Sequence, residues 1–272
     1  MADVVSFRKE DQAGLVRTER DGAVLRLTLN NPPANVLSVA LMEALGAALD
    51  AAAADETLRV VVLASTGNLF SAGHDLKEMT AHRADADGGR AFFEKTVRMA
   101  ADLMLKIAGL PQPVVAEIDG LATAAGCQLV ASCDLAICTD TSTFCTPGVN
   151  IGLFCSTPMV AVTRAAHPKQ AMEMLLTGET IDASTAKDFG LINRIVPKQY
   201  LRQVIDKYAS VIAAKSPQAL RIGKAAFRAQ AGLPLPEAYD VAVATMVDNL
   251  FADDAKEGID AFLGKRMPQF GD

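Results

Sequence analysis

Three short runs of aliphatic and β-branched residues constrain this chain more than any other feature: Arg59 to Ala64, Val114 to Ile118 and Leu135 to Cys138. Each is near-continuously apolar, the pattern of a strand buried on both faces of a parallel sheet. Segments with helical spacing separate them. Ser38 is placed to cap a helix from Val39 to about Ala54, with Leu41, Leu45 and Leu49 at spacing four. A second long helical stretch runs from about Gly89 to Ile107 and is stopped by Pro111 and Pro113. Strands alternating with helices over about the first 195 residues, then helices alone, predict an α/β core with a helical tail. Residues 1–200 are expected to form the core and residues 201–272 a helical region.

Shorter elements are read around these. Gly22 to Asn30 alternates with a period of two and follows a polar strand near Leu15 to Thr18, with Asp21-Gly22 as the turn. A helix is expected over Cys127 to Ser132. Strands are expected at Phe144 to Thr146 and Ile192 to Ile195. Later helices are expected at about 157–166, 168–176, 183–188, 199–214, 217–231, 235–251 and 254–264. The polar stretch 81–90 reads as a mobile loop.

Composition excludes several classes. The formal net charge is −6 and no basic stripe is present, which argues against nucleic-acid binding. No run of apolar residues is long enough to span a membrane, and Met1 to Arg20 lacks the apolar region of a secretory signal. The five cysteines are odd in number and show no CxxC spacing, so they read as reduced thiols in a cytoplasmic compartment. His74, His82 and His167 are not at ligand spacing from a cysteine pair, and no metal site is expected.

Two small-residue segments follow buried strands and lead toward helices: Ser71-Ala72-Gly73-His74-Asp75 and Gly120 to Gln128. Small residues let a ligand approach the main chain, and free N–H groups at a helix start attract partial negative charge. Neither segment is a GxGxxG fingerprint or a Walker loop.

In order along the chain, Phe70 to Met79, Gly120 to Asp134, Phe144 to Gly152, Ala171 to Gly178, Ala186 to Leu191 and Glu257 to Arg266 resemble the crotonase (enoyl-CoA hydratase/isomerase) superfamily. The resemblance implies a ββα spiral core with a C-terminal α-helical trimerisation region, assembled as a homotrimer or a dimer of trimers. It implies a lyase of enoyl-CoA hydratase type acting on an acyl-CoA. No permanently bound cofactor is implied; coenzyme A arrives as part of the thioester. The thioester oxygen would lie between the backbone N–H groups of His74 and Ala125. Coenzyme A would run along Ala72, His74, Asp75, Leu76 and Lys77, with Phe262 and Lys265 contacting it across a subunit boundary.

The sequence departs from the family where a hydratase needs two glutamates. By position these fall on Gln128 and Gly148. An amide cannot take a proton near neutral pH, and glycine offers no side chain. Hydration of an enoyl-CoA is therefore expected to be very slow or absent. Glu117 reads as a structural ion-pair partner or a relocated acid, Asp119 as a turn-former, Asp134 as a structural residue. Asn150, Cys155 and Ser156 are placed to line an acyl pocket. His74 contributes its amide, and its ring faces solvent, contacts coenzyme or takes part in catalysis. Three readings stay open: a hydratase or isomerase with a moved acid or base, another oxyanion-dependent reaction such as decarboxylation or thioester hydrolysis, and an acyl-CoA-binding protein without turnover.

Overall fold

The computed structural model describes residues 9–11 and 14–271. Seven strands form the main sheet in the order β1 (Lys9–Asp11), β2 (Val16–Asp21), β3 (Val24–Leu29), β4 (Val60–Ser65), β6 (Val114–Ile118), β8 (Leu135–Thr139) and β11 (Arg194–Val196). From β3 onward the pairs are parallel. A second sheet of four short strands has the order β10 (Ile181–Asp182), β9 (Thr143–Cys145), β7 (Leu121–Thr123) and β5 (Leu69–Ser71).

The main sheet is buried on both faces, and its alternation sorts the residues. Val61, Leu63, Val114, Ala116 and Ile118 join the larger core, packed by α1 (Val39–Ala54), α3 (Arg90–Gly109) and α4 (Ala125–Ser132). Val60, Val62, Val115 and Ile137 face the other way and are covered by Leu201, Ile205 and Ala209 of α8 (Leu201–Ala213). Burying each such aliphatic side chain stabilises the fold by roughly 1.5–3 kcal/mol. The core thus continues past residue 200, because the apolar outer face of the sheet needs α8 to cover it.

Ser38 caps α1 as its position predicts, its Oγ accepting from Leu41 N–H at 3.2 Å. The helices α5 (Ser156–Ala165), α6 (Pro168–Thr177), α7 (Ala183–Asp188), α9 (Pro217–Gln230), α10 (Leu235–Leu250) and α11 (Asp253–Leu263) fall within a residue or so of their expected bounds. The last strand starts two residues later than expected and ends one later, where Asn193 Oδ1 accepts from Ala136 N–H at 2.8 Å and sets the start of the pairing.

The stretch 81–90 is not a loose loop. It continues α2 (Leu76–Ala81) into a 3₁₀ turn, His82–Ala84. The His82 ring stacks on Phe92 at 3.6 Å, and its Nδ1 lies 2.8 Å from Asp85. Asp87 accepts from the N–H groups of Gly89 and Ala91 and so starts α3. No helix among the described residues is long and apolar enough to cross a membrane.

Candidate functional site

The two small-residue segments meet. The first leaves β5 and is held from behind by the turn at Asn31 to Leu37. Ser71 Oγ donates to Asn35 O (2.8 Å), Ala72 N–H to Ala34 O (2.9 Å), and Leu37 N–H to Gly73 O (2.7 Å). Asn35 is fully buried with φ +46°, and its Nδ2 donates to Thr66 O and Leu69 O, both at 2.8 Å. This turn is not among the expectations from sequence; the signal for it is an asparagine two residues after Pro32-Pro33, since Asn tolerates the left-handed region.

The second segment is not a plain loop. Leu121–Thr123 is β7, and α4 begins at Ala125, two residues earlier than expected. Between them Ala124 adopts φ +52°, ψ −119°, a region favoured by glycine, and its N–H donates to Cys145 O at 3.0 Å. Strain of this kind in a non-glycine residue costs about 1–3 kcal/mol and gathers at functional sites.

Contact between the segments is close enough to exclude side chains. A Cβ on Gly73, which has φ +79°, would lie 3.0 Å from both Ala124 Cβ and Ala125 N. A Cβ on Gly126 would lie 2.3 Å from Ser71 O. Both positions need glycine for that approach.

The direction of two amides follows from planar trans peptides, in which C=O and N–H point oppositely. Gly73 C=O accepts from Leu37, so His74 N–H points away from that turn. Ala124 C=O accepts from Gln128 N–H at 3.1 Å, so Ala125 N–H points out of the N-terminus of α4, where no intrahelical acceptor exists.

Gln128 lies on the first turn of α4 at 3% exposure, and its Oε1 is buried without a partner. Gly148 lies in a 3₁₀ helix, Pro147–Ile151, and a Cβ there would stand 3.0 Å from Cys155 Sγ. The Cys155 thiol therefore adjoins the space that a side chain at 148 would enter. Burial raises the thiols of Cys127 and Cys155, which keeps them neutral and unreactive. All five cysteines are free.

The other candidates are placed as follows. Glu117 pairs with Arg26 in the layer under α8, and Asp206 lies 3.0 Å from the same guanidinium. Burial first, then Arg202, lowers Arg26 to about 10. Glu117 shares a face with Val115, opposite to Ala116 and Ile118, so the relocated-acid reading is corrected: its strand parity turns it away from the two loops. Asp119 Oδ2 pairs with Lys198 Nζ at 2.8 Å. Asp134 accepts from Val114 N–H (2.7 Å), Lys224 Nζ (2.6 Å) and Arg228 (2.9 Å), which ties α9 to the core. Asp75 caps α2 by accepting from Lys77 and Glu78 N–H at 2.9 and 3.1 Å. Leu76 and Lys77 are exposed, and Ala72 and His74 partly so. Phe262 is exposed on α11 and Lys265 has φ +52° just after it, on the helical tail rather than beside the loops. Among the described residues no group of three His, Cys, Asp or Glu side chains is arranged to hold a metal ion.

Residues 19–272 match the model of the enoyl-CoA hydratase/isomerase family. A rat protein, enoyl-CoA hydratase domain-containing protein 3, mitochondrial, is 43% identical over 95% of this chain and 85% of its own. The crystal structure of an enoyl-CoA hydratase from Mycobacterium smegmatis is 46% identical, with TM-score 0.90 over 95% of this chain and 99% of that one. That of human enoyl-CoA hydratase domain-containing protein 3 is 41% identical, with TM-score 0.89 over 94% and 100%. The cytoplasmic compartment expected from the cysteines is overturned by similar proteins named as mitochondrial, the rat and human ones among them; reduced thiols do not distinguish these compartments. The match over nearly the whole length, together with the shared crotonase fold, shows that this chain belongs to the enoyl-CoA hydratase/isomerase family.

Proposed function

We propose that this protein binds an acyl-coenzyme A thioester and holds its carbonyl oxygen between the backbone N–H groups of His74 and Ala125. The observation that carries this is the packing of Gly73 against Ala125, close enough that a Cβ on Gly73 would stand 3.0 Å from Ala125 N, with both amides facing away from their own scaffolds. Fixed donors aimed at a developing oxyanion stabilise it, and loss of one costs about 10²–10³ in rate. Coenzyme A runs along Ala72, His74, Asp75, Leu76 and Lys77. Its far end meets Phe262 and Lys265 of a neighbouring copy in a homotrimer, or in a dimer of trimers. The stripe Leu235, Tyr239, Val243, Met246 and Leu250 along α10, exposed throughout, supports that assembly.

Standard hydration is not the reaction. A base and an acid contribute about 10²–10⁴ each, and Gln128 and Gly148 supply neither. The chemistry served is enolate formation on a thioester without a paired-carboxylate water site.

Calorimetry of the full chain with coenzyme A and butyryl-CoA, alongside a crotonyl-CoA hydration assay, tests this. Both ligands are expected to bind, and hydration to fall at least about 10²-fold below a two-glutamate relative. The variant Ala124→Gly/Ala125→Pro removes one donor while glycine accommodates the backbone before proline; it is expected to lose the acyl-CoA preference. Hydration at a relative's rate, or no binding of butyryl-CoA, would overturn the reading.

A further inference from the structure

The proposed site lacks both glutamates, so a proton acceptor has to be sought among the groups around the two loops. Most are committed elsewhere. The Asp75 carboxylate accepts two N–H groups of α2, and Glu78 Oε2 accepts from Val39 N–H at 3.0 Å at the start of α1. Glu117 faces α8 and pairs with Arg26, and Asp119 pairs with Lys198. Cys145 Sγ donates to Thr123 Oγ1 at 3.1 Å. Cys127 and Cys155 are held as neutral thiols by burial. The Gln128 amide accepts hydrogen bonds but not protons.

His74 alone among these joins an uncommitted atom to a group that can take a proton. Its Nε2, like Gln128 Oε1, is buried and meets no hydrogen-bond partner. A buried polar atom without a partner in a folded protein calls for an explanation, and a catalytic role is one of the recognised ones. The ring is attached to the residue whose N–H is the first proposed oxyanion donor, so it cannot be remote from the bound thioester.

We propose that the His74 imidazole is the base of this site and removes a proton from C2 of the bound acyl group. In this step the C2–H bond breaks and its proton passes to a ring nitrogen. The bonding pair forms the C1–C2 double bond, and the carbonyl π pair moves onto the oxygen held by the two amides. Reversal from an imidazolium that has exchanged with solvent returns a solvent hydron to C2. Atoms and charge balance with no further reactant.

Burial holds the ring's proton affinity below the ordinary histidine value, so the imidazole is neutral near pH 7 and free to accept. Burial is the whole of this shift, with no charged group opposing it: the Asp75 carboxylate accepts from Lys77 and Glu78 N–H, and Glu78 Oε2 accepts from Val39 N–H. One residue would therefore serve twice, through its main chain and its side chain. That duality makes the test clean, because replacing the side chain leaves the peptide N–H in place.

The inference rests on the thioester-binding reading above, and isotope exchange separates the two. Butyryl-CoA is incubated with the full-length protein in deuterium oxide, and deuterium at C2 is followed by mass spectrometry. Wild type is expected to exchange C2 at a rate that falls as the pH drops through the ring's titration. His74→Gln keeps the peptide N–H and is expected to slow exchange by about 10²–10⁴-fold at saturating butyryl-CoA, where a change in affinity does not enter the rate. His74→Asn supplies the same comparison should the first variant fold poorly. Wild type that binds butyryl-CoA yet leaves C2 unexchanged, or a His74 variant that exchanges at the wild-type rate, would overturn the assignment of the base. Wild type that does not bind butyryl-CoA would overturn the thioester reading and this assignment with it.

Discussion

The Cβ that Gly73 lacks would stand 3.0 Å from the amide nitrogen of Ala125, so one missing methyl group sets the spacing of the two proposed donors. Gly73→Ala meets two penalties at once. Its φ of +79° disfavours any side chain, and the new Cβ would press on Ala124 and Ala125. Destabilisation of about 1–3 kcal/mol is expected, read as a lowered urea midpoint with an unchanged slope. Acyl-CoA affinity is expected to fall further than coenzyme A affinity. Equal stability in the variant would show that the loops do not meet as described.

Ala124 gives the opposite expectation. Glycine at φ +52°, ψ −119° is unstrained, whereas alanine costs about 1–3 kcal/mol there. Glycine also gains unfolded-state entropy, worth roughly 0.5–1 kcal/mol against it. The strain term is the larger, so Ala124→Gly is expected to raise the thermal midpoint. A lower midpoint would mean that the Ala124 backbone relaxes in solution.

Why these positions escaped a reading of the sequence is a matter of range. The long helices and the β-branched strands carry their period locally, and both could be placed from residues such as Leu41, Leu45 and Val60 to Leu63. The second sheet could not. Its strands are two or three residues long, and Leu121 to Thr123 is a strand because it lies parallel to Leu69 to Ser71 and Thr143 to Cys145. Asn35 supports the site only because Ser71, Thr66 and Leu69 fold onto it from more than 30 residues away. The direction of Glu117 likewise depends on which face α8 covers. The donor loops themselves were legible, since small residues beyond buried strands mark a close approach of main chain whatever the partner.

Docking of the helical tail is expected to depend on Lys224. Its ammonium pairs with Asp134 at 2.6 Å and donates to Gln112 O at 3.0 Å, with the side chain 9% exposed. Removing one member of a fully buried pair costs about 3–5 kcal/mol. Arg228 still faces Asp134 in Lys224→Met, so about 2 kcal/mol is expected, with faster hydrogen exchange across Pro217–Gln230. Pairing it with Asp134→Asn should cost less than the two single changes added, because both remove one interaction. Simple additivity would show that the pair contributes nothing as a pair.

Acid should weaken the fold through the part-buried ring of His74. Burial lowers its proton affinity below the ordinary value of 6.5, so the unfolded chain takes up the proton first as pH falls. The direction is therefore a loss of folded stability on acidification, beginning near pH 6.5, with no loss from this group above it. Unfolding free energies measured between pH 8 and pH 5 are expected to decline more steeply for wild type than for His74→Gln. Parallel curves would place the ring in contact with water.

Restoring a hydratase is expected to need three changes rather than one. Gln128→Glu returns one carboxylate, but the second must enter at Gly148, where a Cβ would lie 3.0 Å from Cys155 Sγ and 3.1 Å from Leu153 O. A glutamate there would crowd the thiol before its carboxylate reached the ligand. Cys155→Ala removes that sulfur, and the remaining backbone contacts, Leu153 O at 3.1 Å and residue 155 N at 3.2 Å, need to give by only a few tenths of an ångström. The triple variant Gln128→Glu/Gly148→Glu/Cys155→Ala is expected to hydrate crotonyl-CoA at least about 10²-fold faster than Gln128→Glu alone, since a second acid–base group contributes about 10²–10⁴. The intermediate Gln128→Glu/Gly148→Glu should gain little and lose stability. Were that double variant as active as the triple, Cys155 would not be the obstacle, and the space beside Gly148 would be open to a carboxylate without help.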